Sequence, residues 1–185
     1  AYGGAAEVFG IQPDMACFGK IIGGGFPVGA YGAKREIMEM VSPLGGVYQA
    51  GTLSGNPIAM HLGLKSLNML KENSEIYDEL EEKAIYIEKE IQKNIEKTGA
   101  KATIVRFKGM LTLFFGKGEF DNYDDVMKCD TEMYAKYFKK MLDQGIMLPP
   151  AQFECMFLSA AHTKEDLERF VKANLIALEE LTQVR

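Results

Sequence analysis

The chain has 185 residues, 47% of them hydrophobic, which favours one domain, or one domain with part of another, and is ample for a packed core. Its net charge of −5 argues against the clustered basic face of a nucleic-acid binder, and no apolar run approaches the roughly 20 residues that cross a bilayer. Three widely spaced cysteines (Cys17, Cys129, Cys155) and two histidines (His61, His162) read as reduced thiols of a cytoplasmic protein, with no disulfide frame and too few ligands for a metal cluster.

The opening "AYGGAAEVFG" has no initiator methionine and lacks the basic and apolar regions of a signal peptide; it reads as a continuation of something longer. Residues 1 to about 60 are rich in glycine and poor in charge. Within them Met15–Phe18 and Val28–Tyr31 are predicted as buried strands joined by tight turns. Lys34–Met40 would make a short helix and Ser42–Gly46 a loop. Asn56 followed by Pro57 is a helix start with a mechanism: asparagine caps, and proline sits where its missing N–H costs nothing. That helix would run to about Leu70 and bury Ile58, Leu62, Leu67 and Leu70.

After Asn73 the pattern becomes charged and amphipathic. Ile76, Leu80, Ala84, Ile87, Ile91 and Ile95 fall on one helical face, the stripe of a core helix. "ATIVRF" and "MLTLFFG" are candidate strands separated by Lys108–Gly109. A helix from Thr131 to Gln144 should stop at Gly145. "GIML" and "MFLSA" are predicted as further short strands. Thr163 and Asp166 have capping-box spacing and open a last helix that buries Leu167, Phe170, Val171, Leu178 and Leu181. Alternating strands and helices indicate an α/β or α+β chain. The change in texture near residue 70 divides it into the tail of one domain, 1–70, and a smaller complete one, 71–185.

The informative stretch is "DMACFGKIIGGGFPVGAYGAK", which sets Lys20 against a run of glycines. A P-loop needs G-x-x-x-x-G-K-[ST]; here Ile21 follows the lysine, and Asp14 stands five before Gly19. A dinucleotide loop needs G-x-G-x-x-G; Val28 and Phe26 break it from either starting glycine. A lysine that bonds covalently to a cofactor remains. Such a lysine must act part of the time as a free amine, and Phe18, Ile21 and Ile22 would supply apolar walls, with no carboxylate following until Glu36. Local chemistry also leaves open a surface lysine in a glycine-rich loop.

"PDMACFGKIIGGGFPVGAYGAKREIMEMV", followed by "YQAGTLSGNPIAM", resembles the cofactor-lysine region of the class III, fold type I, pyridoxal-phosphate aminotransferases. "LPPAQFECMFLSAAHTKEDLERF" resembles the C-terminal segment of their aminomutase branch. The resemblance implies the tail of a large cofactor-binding domain followed by a small α+β C-terminal domain. It implies pyridoxal 5′-phosphate, alternating with its pyridoxamine form, as cofactor. Lys20 would bond to that cofactor and move a proton to and from the substrate carbon. Gly51 and Thr52 would hold the cofactor phosphate, helped by the helix start at Asn56–Pro57. Tyr48 and Gln49 would shape that loop. The grip reaches the partner subunit's cofactor in this family, so a homodimer with shared active sites is implied, and Ser42–Gly46 would contact the mate.

Glu154 lies in a stretch with no other charged side chain between Gly145 and Thr163. Many class III aminotransferases clamp the substrate α-carboxylate with an arginine of the C-terminal domain, and no arginine occurs here between Arg106 and Arg169. The matching segment of the aminomutase branch carries a glutamate near the substrate, so the resemblance implies intramolecular amino transfer on a small amino-aldehyde that feeds tetrapyrrole synthesis. The alternatives are transamination of an ω- or β-amine, or a non-catalytic fragment that binds a partner chain; a solvated loop glutamate is the plain reading of Glu154 itself. His162 is expected to be structural. The family's phosphate-binding turn, ring-stacking aromatic and ring-nitrogen aspartate normally precede the position where this sequence opens, so the segment alone is not expected to turn over substrate.

Overall fold

The computed structural model describes residues 1–183 and divides into two compact units, Ala1–Ile76 and Tyr77 onward. In the first unit, a short helix α1 (Gly4–Phe9) precedes strand β1 (Met15–Phe18), a 3-10 turn (Lys20–Gly23) and strand β2 (Ala30–Ala33). The strands pair antiparallel, Met15 opposite Ala33 and Phe18 opposite Ala30. The second strand therefore lies two residues beyond its predicted position. Helix α2 (Arg35–Met38) is shorter than expected, and helix α3 (Pro57–Glu72) closes the unit.

Helix α3 begins as its sequence dictates: Asn56 Oδ1 accepts the Ile58 and Ala59 N–H groups at 3.1 and 3.2 Å, with Pro57 in the first turn. Its buried face differs from the expected one. Ile58 is 59% exposed, Leu62, Leu67 and Leu70 are half-buried, and the buried residues are Ala59 and Gly63. The reason is a backbone approach. The Ile22 carbonyl oxygen of the 3-10 turn lies 2.4 Å from where a Gly63 Cβ would stand, so the turn docks only on a helix lacking a side chain there.

The second unit has its own core. Helix α4 (Ile76–Thr98) contributes Ala84, Ile87, Ile91 and Ile95, the predicted stripe. They pack with Leu111 and Leu113 of the sheet, and with Tyr137, Met141 and Leu178 of two later helices. The sheet is antiparallel in the order β3–β4–β5: β3 (Thr103–Phe107), β4 (Met110–Phe114) and the two-residue β5 (Met156–Phe157). A one-turn helix α5 (Tyr123–Val126) precedes α6 (Thr131–Asp143), and α7 spans Lys164–Gln183. Leu167 and Leu178 are buried on α7, whereas Phe170, Val171 and Leu181 are only partly so. A polar chain crosses the core. Asn94 Nδ2 donates to Asn174 Oδ1 at 2.9 Å, and Asn174 Nδ2 donates to the Tyr137 hydroxyl at 2.8 Å, joining α4, α7 and α6.

The predicted strand "GIML" does not form. Gly145 has φ +77, its N–H donates to the Leu142 carbonyl at 2.8 Å, and the Ile146 N–H donates to the Met141 carbonyl at 2.9 Å. These are the paired bonds of a Schellman stop, so the residues expected to start a strand instead close α6, and Pro149–Pro150 follow without donors. "MFLSA" shrinks to β5 because the Ser159 N–H turns away to His162 Nδ1 at 3.1 Å. The three cysteine thiols are free.

Candidate active site

Lys20 stands directly after β1, where Gly19 is extended and Lys20 itself has φ +53. A residue with a Cβ in the left-handed region costs roughly 1–2 kcal/mol, so strain sits on the side chain that the motif singles out. The ammonium makes no hydrogen bond or ion pair among the described residues. Asp14, the nearest upstream carboxylate, pairs with Lys34 instead, at 2.5 Å. Of the expected apolar walls, Ile22 is half-buried, with its carbonyl against α3, whereas Phe18 of β1 is 54% and Ile21 66% exposed.

Gly51 and Thr52 lie in an exposed turn in which the Ser54 N–H donates to the Gly51 carbonyl at 3.0 Å. Their own N–H groups and the Thr52 hydroxyl have no partner among the described residues, a set of free donors suited to an anion. The expected help from the α3 terminus is smaller than the sequence implied. Asn56 already takes the Ile58 and Ala59 donors and Pro57 has none, so the first turn has no free N–H to offer.

Glu154 belongs to the second unit. Its N–H donates to the Ala151 carbonyl at 3.1 Å and its side chain is exposed. Its charge is felt by Tyr134, whose phenol is pushed up to about 12, first by burial and then by this carboxylate. The Tyr134 hydroxyl donates to the Pro149 carbonyl at 2.7 Å, and the Tyr123 ring sits 6.1 Å from that of Phe153. His162 shapes a turn: Nδ1 accepts the Ser159 N–H, and Lys83 Nζ caps the Ala160 carbonyl at 3.0 Å. Of the two arginines flanking the Glu154 region in sequence, Arg106 is bound by Glu88 at 2.7 Å and Glu81 at 3.4 Å. Arg169 donates to the Gln144 carbonyl at 3.3 Å. Lys20, Gly51 and Thr52 thus belong to one unit and Glu154 to the other. Sequence reasoning passed over Gln152 and Tyr134, which hold the Glu154 loop. An amide inside the apolar run "LPPAQFECMFL" was the available signal for the first.

The model of the aminotransferase class-III family matches residues 3–173, and the chain belongs to that family. Its α/β fold is that of the family's pyridoxal-phosphate enzymes: it superposes on an omega-transaminase from Sphaerobacter thermophilus with a TM-score of 0.88 at 26% identity, covering 97% of this chain and 41% of that one. More particularly, it is 66% identical over 181 residues to the glutamate-1-semialdehyde 2,1-aminomutase of Clostridium novyi (strain NT), covering 98% of this chain and 42% of the relative. It is 54% identical over 179 residues to the enzyme of that name from Chlorobium phaeovibrioides (strain DSM 265 / 1930), covering 97% and 41%. The chain spans about two fifths of the length of these curated relatives. No described helix is long and apolar enough to cross a membrane.

Proposed function

We propose that the protein of which this chain is a part is a pyridoxal-phosphate-dependent aminomutase that converts glutamate-1-semialdehyde to 5-aminolevulinate. The observation that carries this reading is the 66% identity, across nearly the whole chain, to a relative bearing that name. The donor set fits the cofactor: a lysine with an unengaged ammonium, and a turn with unpaired N–H groups and a hydroxyl. Lys20 would hold the cofactor covalently, and Gly51 and Thr52 would hold the phosphate of the partner subunit's cofactor. When bound, the cofactor supplies an electron sink beside the substrate nitrogen. Lys20 then takes a proton from the substrate carbon and returns it, one amine serving as base and acid in turn.

Glu154 stands where a carboxylate-clamping arginine is absent. A carboxylate at that place repels an α-carboxylate and favours a substrate whose reacting end is an aldehyde with a neighbouring amine. The amino group would leave one carbon and arrive on the next with no external acceptor. We assign the protein to the cytoplasm as a homodimer with shared sites, in keeping with the family resemblance.

The runner-up is transamination of an ω- or β-amine, favoured by the 0.88 superposition on an omega-transaminase. The full-length enzyme, given glutamate-1-semialdehyde and no α-keto acid, is expected to release 5-aminolevulinate. Turnover that begins only when an α-keto acid is added would replace the mutase reading with the transaminase one.

A further inference from the structure

The loop that carries Glu154 is tied down at three points. Tyr134 holds the Pro149 carbonyl, the Phe115 N–H donates to Gln152 Oε1 at 2.8 Å, and the Thr112 hydroxyl meets Cys155 Sγ at 3.5 Å. Gln152 is the least expected of these. Its side chain is 2% exposed in a neutral stretch, and its Nε2 has no partner among the described residues. A buried amide donor without an acceptor costs stability that a leucine or methionine of similar size would not. What the side chain does provide is an acceptor for the main-chain N–H just past the end of β4, on a residue that is itself buried. The Ala151–Glu154 turn bond then links that anchor to the glutamate two residues on.

We propose that Gln152 is a positioning residue for Glu154, fixing the Ala151–Glu154 turn to the end of β4 and thereby setting where the carboxylate meets the amino-aldehyde. The inference rests on the role given to Glu154 above. Gln152 acts through Oε1; the stranded Nε2 is the cost of keeping that acceptor in an apolar site.

A double-mutant cycle in the full-length enzyme tests it, with Gln152→Leu and Glu154→Gln made singly and together. A misplaced carboxylate is expected to lower kcat/KM by up to about 100-fold in Gln152→Leu. Pyridoxal phosphate affinity is expected to stay unchanged, because Lys20, Gly51 and Thr52 belong to the other unit. In the Glu154→Gln background the same substitution should change kcat/KM little. In the apoenzyme, amide exchange at Glu154 should quicken in Gln152→Leu and not in Glu154→Gln. Should Gln152→Leu not fold, Gln152→Asn, which keeps the amide and shortens its reach, reads the same cycle. If Glu154→Gln is impaired but the two losses multiply, Gln152 acts on stability alone and the inference falls. If Glu154→Gln is as active as the parent, the role of Glu154 falls and takes this inference with it.

Discussion

At the scale of single residues, the backbone of Lys20 is the most informative feature. The lysine beside glycines was legible in sequence, as were Gly51 and Thr52 once the family resemblance was drawn. The left-handed conformation was not, because no residue type announces it at a lysine. It has a measurable consequence. Glycine at position 20 removes the clash of Cβ with the following carbonyl, whereas alanine retains it. In the full-length apoenzyme, Lys20→Gly is expected to be more stable than Lys20→Ala by about 1 kcal/mol, read as a difference in urea midpoint. Both variants should be inactive. Equal midpoints would mean that the turn relaxes without cost. Gln152 escaped notice for the opposite reason: its signal, one amide among apolar neighbours, acquires meaning only when the Phe115 N–H is seen beside it.

At the scale of elements, α4 and the β3–β4 hairpin follow directly from periodicity. The failures share one cause, main-chain groups already engaged elsewhere. The Ile146 N–H closes α6, so no strand starts there, and the Ile22 carbonyl claims the α3 face at Gly63, so the leucines expected inside are only half-buried. The capping box of α7 forms as predicted, with Asp166 Oδ2 accepting the Thr163 N–H and hydroxyl, each at 2.8 Å. The Thr163 backbone bond, then the hydroxyl bond, hold the Asp166 carboxyl below its usual range. A depressed folded value means that the cap contributes above the unfolded pKa of about 3.9 and is lost as pH falls through the lower folded one. Urea midpoints taken from pH 7 down to pH 3 should therefore decline less steeply in Asp166→Asn than in the parent. Parallel curves would deny the cap any part in acid stability.

At the scale of the molecule, the two units are unlike. The second buries large side chains such as Ile91, Tyr137, Met141 and Leu178. In the first, among the described residues, only Gly23, Ala59 and Gly63 are buried, while Leu44 and Tyr48 are about four-fifths exposed, at 78% and 82%. The compositional change near residue 70 hinted at two parts but not at this contrast in burial, since an apolar sequence reads alike whether or not anything covers it. Hydrogen exchange on this chain should place the slowest amides in α4, β4, α6 and α7, with those of residues 1–56 in the fast class. Strong protection in β1 and β2 would contradict that picture.

The asparagine–asparagine–tyrosine chain has a consequence for recombination between relatives. Asn94, Tyr137 and Asn174 come from three helices separated along the chain, yet each buried amide is satisfied by another member. A chimera with a crossover between residues 94 and 174 would join halves of different ancestry, and a parent with an apolar residue at one of the three places would strip a partner from a buried polar group, most completely from the Tyr137–Asn174 bond, since Asn94 also donates to the Val171 carbonyl. Junctions at the boundary after Ile76 keep the trio intact and are the ones at which hybrids should fold.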